Sequence, residues 1–452
     1  MGRLFGTDGV RGVANKELTP ELAFKIGQAG AYVLTGSSGK RPSILVGKDT
    51  RISGDILECA LTAGLCSVGA RVVSAGVIPT PAIAHLVREC GFSAGVMISA
   101  SHNPYEHNGI KFFSGDGYKL SDETEEKIEA IILDNAEEIE CPTHDRIGTR
   151  EVDGSLVSKY IEFAMSTTDV RFDGVKVAID CANGASSVTA KRALEGLGAE
   201  VSVICDKPDG ININASCGST HTEKLAEFVK SSGADLGLAF DGDADRVLAV
   251  DENGVLVDGD KIMSVCALDM KNRGELSDNT IVATVMSNLG FFKMGEANGL
   301  SIKKTKVGDR YVLEEMLKCG HKIGGEQSGH VILLDHNTTG DGLVTGIALI
   351  SALCRSGKSL SEAASVMQLY PQVLVNATVK NEFKSEDKYM AVPEIKEAIE
   401  ALNAEFDGCG RVLIRPSGTE PLVRVMIEGQ DEKLIADRAK ALAALMEEKL
   451  GV

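Results

Sequence analysis

Short apolar runs alternate with stretches of helical apolar spacing along most of the chain. The segment ELAFKIGQAGAYVL predicts a helix over 20–34, and Ser43-Ile44-Leu45-Val46-Gly47 reads as a buried strand leading to Asp49-Thr50-Arg51. A second helix is expected after Ser53, a candidate N-cap, with Ile56, Leu57, Ala60, Leu61 and Leu65 on its apolar side. Arg71-Val72-Val73 begins another strand and Pro79-Thr80-Pro81 reads as a turn. The run Val96-Met97-Ile98 is a strand that breaks at Ser99-Ala100-Ser101-His102-Asn103-Pro104, because the residue before a proline avoids the helical region. Strands alternating with helices predict a mainly parallel sheet with helices on both faces.

The organisation recurs. A strand over 175–180 is followed by a helix over 190–197, and a strand over 234–240 ends in Asp241-Gly242-Asp243-Ala244-Asp245. A third round runs from a strand over 280–285 to Gly324-Gly325-Glu326-Gln327-Ser328-Gly329-His330. The rounds are similar in organisation and not in sequence, which predicts a threefold α/β repeat. The last part differs. Strands over 373–379, 411–414 and 423–427, with helices over 393–402 and 433–450, form a smaller α+β unit. The fold class is α/β: three similar mixed α/β domains around a cleft (1–152, 153–254, 255–371), plus a C-terminal α+β domain (372–452).

The chemistry concentrates where strands end. Three carboxylates at alternate positions, Asp241, Asp243 and Asp245, repel one another unless a divalent cation neutralises them, and all-oxygen ligation suits Mg²⁺ or Ca²⁺. A calcium loop of the EF-hand type would explain Glu252 at the twelfth position, but Arg246 stands where its turn glycine belongs and a strand precedes the loop. A haloacid-dehalogenase-like phosphatase, with Asp241 as nucleophile, is the sharper rival. Arg415-Pro416-Ser417-Gly418-Thr419-Glu420-Pro421, with Arg424 beyond, reads as a phosphate cradle of converging N–H groups, hydroxyls and guanidinium forks, or as a plain hairpin turn. The Glu326-to-His330 loop could hydrogen-bond a sugar, and Asp309 sits in a basic, glycine-hinged loop, but neither is specific alone. Asp8 and Arg11 could orient a phosphate or cap the first turn. Lys111, between Ile110 and Phe112, is expected among apolar neighbours.

Composition narrows the partners. Net charge is −18, which disfavours nucleic acid and anionic membranes, so an anionic substrate needs lysines and arginines placed locally. Eleven cysteines without framework spacing or a tight Cys/His cluster read as reduced thiols in a cytoplasm. The opening Met1-Gly2-Arg3-Leu4 leaves no room for a signal peptide, and no apolar run is long enough to span a membrane.

Ser101-His102-Asn103-Pro104, Asp241 to Arg246, Gly325-Glu326-x-Ser328 and Arg415 to Pro421, in that order, resemble the α-D-phosphohexomutase superfamily over the whole chain. Phe5-Gly6-Thr7-Asp8-Gly9-Val10-Arg11-Gly12 and Thr338-Thr339-Gly340-Asp341-Gly342 resemble its bacterial branch acting on glucosamine phosphates; the phosphomannomutase/phosphoglucomutase members start with a Tyr-Asp-Ile-Arg-like element. The resemblance implies interconversion of glucosamine 6-phosphate and glucosamine 1-phosphate for cell-wall precursors, through glucosamine 1,6-bisphosphate. It implies a phosphoserine at Ser101, with Mg²⁺ held beside it by Asp241, Asp243 and Asp245. Lys111, Arg11, His330 and Arg246 fall at positions of proton transfer or phosphoryl stabilisation, and Lys111 and His330 are the candidate bases. Glu326, Ser328 and Asp309 match substrate binding; Arg415, Ser417, Gly418, Thr419 and Arg424 match the phosphate-binding loop. A cytoplasmic homodimer acting on a small phosphosugar is implied. A non-catalytic sugar-phosphate sensor is the remaining alternative; only the resemblance selects Ser101 over Ser99, which would share a strand face with it.

Overall fold

A computed structural model describes residues 3–6, 8–35, 41–417 and 420–451. The chain forms two compact units, Met1–Met286 with Leu300–Val366, and Ser287–Gly299 with Met367–Val452.

The first unit holds three sheets. In the first, β1 (Val10–Val13), β2 (Ser43–Lys48), β3 (Arg71–Val77), β4 (Ala94–Ile98), β5 (His107–Ser114) and β6 (Thr149–Val152) lie in the order β1-β5-β4-β2-β3-β6. The second comprises β7 (Lys176–Asp180), β8 (Glu200–Ile204), β9 (Leu236–Phe240), β10 (Val247–Asp251) and β11 (Leu256–Val257), ordered β11-β10-β9-β7-β8. The third comprises β12 (Thr280–Thr284), β13 (Ser301–Thr305), β14 (Ile323–Gly325) and β15 (Val331–Leu333), ordered β13-β12-β14-β15.

A common four-strand unit explains the recurring pattern. β2, β7 and β12 each pair in parallel with the next strand on one side and the third strand on the other, and that third strand turns back into an antiparallel fourth. The sheets are therefore mixed, where the alternation predicts mainly parallel ones. β4 and β9 are buried throughout, as their unbroken apolar runs require when both faces are covered.

The second unit has an antiparallel sheet of β16 (Gln372–Thr378), β17 (Arg411–Pro416) and β18 (Leu422–Glu428), ordered β16-β18-β17. Helices Pro393–Glu405 and Glu432–Leu450 supply Ile395, Ile399, Leu442 and Met446 to its core. Three mixed α/β sheets followed by a small C-terminal antiparallel one is the expected fold class.

Local expectations diverge at three points. Pro79-Thr80-Pro81 opens helix Thr80–Glu89, because Pro81 falls in the first turn, where its missing N–H costs nothing. Ser53 stands at the N-cap of helix Gly54–Ser67, but its hydroxyl accepts from Asn108 Nδ2 at 2.9 Å and caps nothing. Ile56 is exposed, while Leu57, Leu61 and Leu65 face the core. Among the described residues no helix is long and apolar enough to cross a membrane.

Candidate active site

In each copy of the four-strand unit, the turn between the third and fourth strands carries reactive side chains: 99–106 between β4 and β5, 241–246 between β9 and β10, and 326–330 between β14 and β15. The repeat brings the three turns together. Ser101 Oγ donates to Asp241 Oδ2 at 2.6 Å, and His330 Nδ1 lies 3.6 Å from Asp245 Oδ2. The Val247 N–H donates to the Gly329 carbonyl at 3.1 Å.

Ser101 sits at φ +53°, a left-handed conformation unfavourable for serine, so its surroundings must hold it there. Ser101 N–H donates to Ser99 Oγ (2.9 Å), and Ser99 Oγ donates to Asp49 Oδ2 (2.6 Å). Arg51 is pinned to Asp49 at 2.9 Å and donates from Nη2 to the carbonyls of Ser101 (3.1 Å) and Asn103 (2.6 Å). Asn214 Nδ2 reaches the same two carbonyls at 2.9 and 3.0 Å. Ser99 is thus committed to the scaffold, and only Ser101 turns its hydroxyl towards the aspartates. The left-handed turn breaks the strand alternation that made the two serines equivalent in sequence.

Asp241, Asp243 and Asp245 are buried, and one oxygen from each lies within 4.8 Å of the others. Burial, then the fields of Asp245 and Asp243, push the Asp241 carboxyl well above its usual range. Asp243 Oδ1 and Asp245 Oδ1 are buried without a hydrogen-bond partner. Three buried carboxylates gathered this closely, two of them with an unpartnered oxygen, fit a hard divalent cation. Thr80 Oγ1 donates to Asp243 Oδ2 at 2.6 Å, from the helix start that sequence reads as a turn. A Cβ on Gly242 would stand 2.6 Å from the Ser101 carbonyl, so glycine lets the two turns approach. Glu252 lies elsewhere, accepting from Ser361 N–H at 3.2 Å, which removes the EF-hand arrangement.

Lys111 is buried among carboxylates, not apolar groups. Its Nζ lies 2.9 Å from Asp243 Oδ2 and 2.9 Å from Asp8 Oδ2. Burial disfavours its charge, but Asp243 and Asp8 outweigh burial and hold the ammonium above its ordinary value. Asp8 also pairs with Arg11 and accepts from Lys119 Nζ at 2.6 Å, and Lys119 reaches Asp309 Oδ2 at 2.6 Å. Burial would raise the Asp8 carboxyl, yet Lys111, Lys119 and Arg11 draw it well below the carboxylate range.

Arg246 Nη1 lies 3.2 Å from His102 Nδ1, which is 3.5 Å from Ser101 Oγ. Burial, then Arg246 and Arg11, lower the His102 imidazole to about 4. His330 Nε2 accepts from Gly340 N–H at 3.1 Å; burial would lower this imidazole, but Asp245 and Asp309 raise it. Arg11, His102, Lys119, Arg246, Asp309 and Glu326 line a cavity of about 570 Å³. Glu326 Oε1 accepts from Gly308 N–H at 3.1 Å, and Ser328 is exposed at the turn.

Of the phosphate-loop residues, Gly418 and Thr419 lie outside the described residues. Arg415 and Arg424 face each other in register across β17 and β18 in the second unit. Like charges so paired oppose one another; burial, then Arg424, lowers the Arg415 guanidinium, and Arg424 Nε is buried without a partner. Ser417 is buried, its Oγ accepting from Glu420 N–H at 3.3 Å. Asp341 caps helix Gly342–Ser356 by accepting from Val344 N–H (3.1 Å), and Tyr160 and Asn337 donate to it.

Sequence reasoning missed Arg51 and Asp49, although both follow an apolar strand as the reactive turns do. Lys119 and Asn214 carry no such signal, because their partners lie more than a hundred residues away.

Four family patterns match in order along the chain: phosphoglucomutase/phosphomannomutase alpha/beta/alpha domain I over residues 2–139, domain II over 158–254, domain III over 258–370, and the C-terminal domain over 374–445. The phosphoglucosamine mutase of Acetivibrio thermocellus is 61% identical over 451 residues, covering all of both chains. That of Clostridium novyi is 59% identical over 449 residues, covering 99% of each. A phosphoglucomutase/phosphomannomutase family protein from Burkholderia thailandensis superposes with a TM-score of 0.81 at 23% identity, over 98% of this chain and 97% of that one. The Aspergillus fumigatus N-acetylphosphoglucosamine mutase, solved with GlcNAc-6P and magnesium, superposes with a TM-score of 0.68 at 18% identity, over 98% and 95%. Both likenesses are of fold.

Proposed function

Because the chain belongs to the phosphoglucomutase/phosphomannomutase family, we propose that it interconverts glucosamine 6-phosphate and glucosamine 1-phosphate by way of a phosphorylated Ser101. The observation that carries this reading is the Ser101 hydroxyl 2.6 Å from Asp241, at the edge of a buried aspartate trio with orphaned oxygens. The amino-sugar preference rests on full-length relatives near 60% identity that bear the name phosphoglucosamine mutase.

In the forward half-reaction the phosphoryl group leaves Ser101 Oγ for the free hydroxyl of the sugar phosphate, giving a 1,6-bisphosphate. That sugar reorients and returns its other phosphoryl group to Ser101. Asp241, Asp243 and Asp245 would hold Mg²⁺, which supplies a positive charge against the phosphoryl oxygens. Lys111, kept as an ammonium by its carboxylates, and Arg246 spread the developing charge. Lys111 as a base would first have to shed a proton that Asp243 and Asp8 hold in place. The neutral His102 is better suited to accept the sugar's proton, whereas His330, drawn towards its charged form by Asp245 and Asp309, is better suited to donate one. Arg11, Glu326, Ser328 and Asp309 orient the sugar phosphate, and Arg415, Ser417, Gly418, Thr419 and Arg424 take the phosphate that is not reacting, their opposed guanidiniums being relieved by an anion.

The segments 1–152, 153–254, 255–371 and 372–452 are proposed as the domains, one loop each. The free cysteines suit the cytoplasm, and the homodimer rests on the family resemblance. The test is peptide mapping for phosphoserine joined to turnover. Phosphate is expected on Ser101, and Ser101→Ala is expected to lose at least about a thousandfold in kcat. Phosphate trapped on Asp241, or full turnover by Ser101→Ala, would overturn the reading.

A further inference from the structure

The scattered cysteines are not all apart in space. Cys205 lies just past β8, Cys217 begins the turn Gly218–Thr220, and Asp180 ends β7. One sulfur from each cysteine and one Asp180 oxygen lie within 4.8 Å of one another. We propose that Asp180, Cys205 and Cys217 bind a thiophilic divalent cation of the Zn²⁺ type, separate from the three-aspartate site.

Donor chemistry separates the two sites. Three carboxylates suit a hard cation, whereas two sulfurs with one oxygen suit zinc in a tetrahedron with one position left for water. At ligand distances of about 2.3 Å to sulfur and about 2.0–2.2 Å to oxygen, tetrahedral donors stand ~3.5–3.8 Å apart, so the cluster needs to contract by roughly an ångström at most. Its surroundings already orient it. Asp180 accepts from Gly218 N–H (2.9 Å) and Ala182 N–H (2.8 Å), and Asn183 Nδ2 donates towards Cys217 Sγ at 3.9 Å. A disulfide would use the two sulfurs alone and close them to about 2.05 Å, leaving the buried carboxylate against an uncharged bridge. A cation uses all three donors, and its binding releases the thiol protons.

The site has a reach. The chain between Cys205 and Cys217 carries Asn214, whose amide holds the carbonyls of Ser101 and Asn103. A cation tying both ends of this loop to β7 would fix Asn214 under the serine turn.

The full-length chain, reduced and stripped of metal, is titrated with Co²⁺ and separately with Zn²⁺. One equivalent of Co²⁺ is expected to give a thiolate-to-cobalt charge-transfer band in the unsubstituted chain, absent from Cys205→Ser and Cys217→Ser and present in Asp243→Ala. Zn²⁺ is expected to slow alkylation of Cys205 about tenfold or more, since a ligated thiolate is a poor nucleophile; Cys59, Cys141 and Cys409, which are exposed, serve as controls. The alkylation arm needs no substitution and so does not depend on the variants folding. A band that survives both serine variants, alkylation of Cys205 at an unchanged rate, or a Cys205–Cys217 disulfide in place of metal would overturn the proposal.

Discussion

Arg51 illustrates how much of the site depends on a side chain outside the reacting groups. Its guanidinium and the Asp49 carboxylate are both fully buried, and it donates to three backbone carbonyls, those of Ser101, Asn103 and His107. Removing one partner from such a pair leaves the other charge buried and uncompensated. Arg51→Ala is therefore expected to lose about 3–5 kcal/mol of stability, read from denaturant midpoints, and to lower phosphate occupancy at Ser101 in the fraction that folds. Breaking an exposed pair such as Arg171–Asp173 should move the same midpoint far less.

At the level of elements, helices Thr80–Glu89 and Ser155–Ser166 meet through the stacked rings of His85 and Phe163, 3.5 Å apart and 15° from coplanar. Burial, then Arg88, lowers the His85 imidazole to about 4. The folded chain thus resists a proton that the unfolded chain accepts near pH 6.5. The contribution is present above about pH 6.5 and is lost as pH falls towards 4. His85→Phe keeps the stack and removes the titration, so its stability is expected to fall less than that of the unsubstituted chain between those pH values, by thermal melts. An equal fall in both would exclude this origin.

Elements were also the most legible level in the sequence. The unbroken runs of β4 and β9 could hardly be anything but buried strands, and the order strand, helix, strand announced the repeat. The antiparallel fourth strand did not show, since an apolar run carries no sign of its direction. The turns at the third strand's end were visible as clusters of polar residues. Their partners were not: Lys119 joins Asp8 to Asp309 across separations of 111 and 190 residues, which no local pattern encodes. Even the choice between Ser99 and Ser101 depended on one left-handed φ.

For the molecule as a whole, a cation bound by the aspartate trio should link turnover to stability. A ligand that binds only the folded state at about a hundred times its dissociation constant adds about 2.7 kcal/mol. EDTA treatment is expected to abolish turnover and lower the thermal midpoint, with both restored by Mg²⁺. Asp243→Ala is expected to melt at the same temperature with or without Mg²⁺, and a Mg²⁺-dependent midpoint in that variant would place the cation elsewhere.

The lysines and arginines lining the cavity already have acidic companions: Arg11 and Lys119 on Asp8, Lys119 on Asp309, Arg246 beside Asp245. A phosphosugar entering such a pocket swaps one anion for another, in the manner of an exchange resin, and meets no bare positive funnel. Long-range steering should contribute little to its capture. Between about 0.01 M and 0.1 M salt, where the screening length falls from about 30 Å to 10 Å, kcat/KM is expected to change less than about threefold.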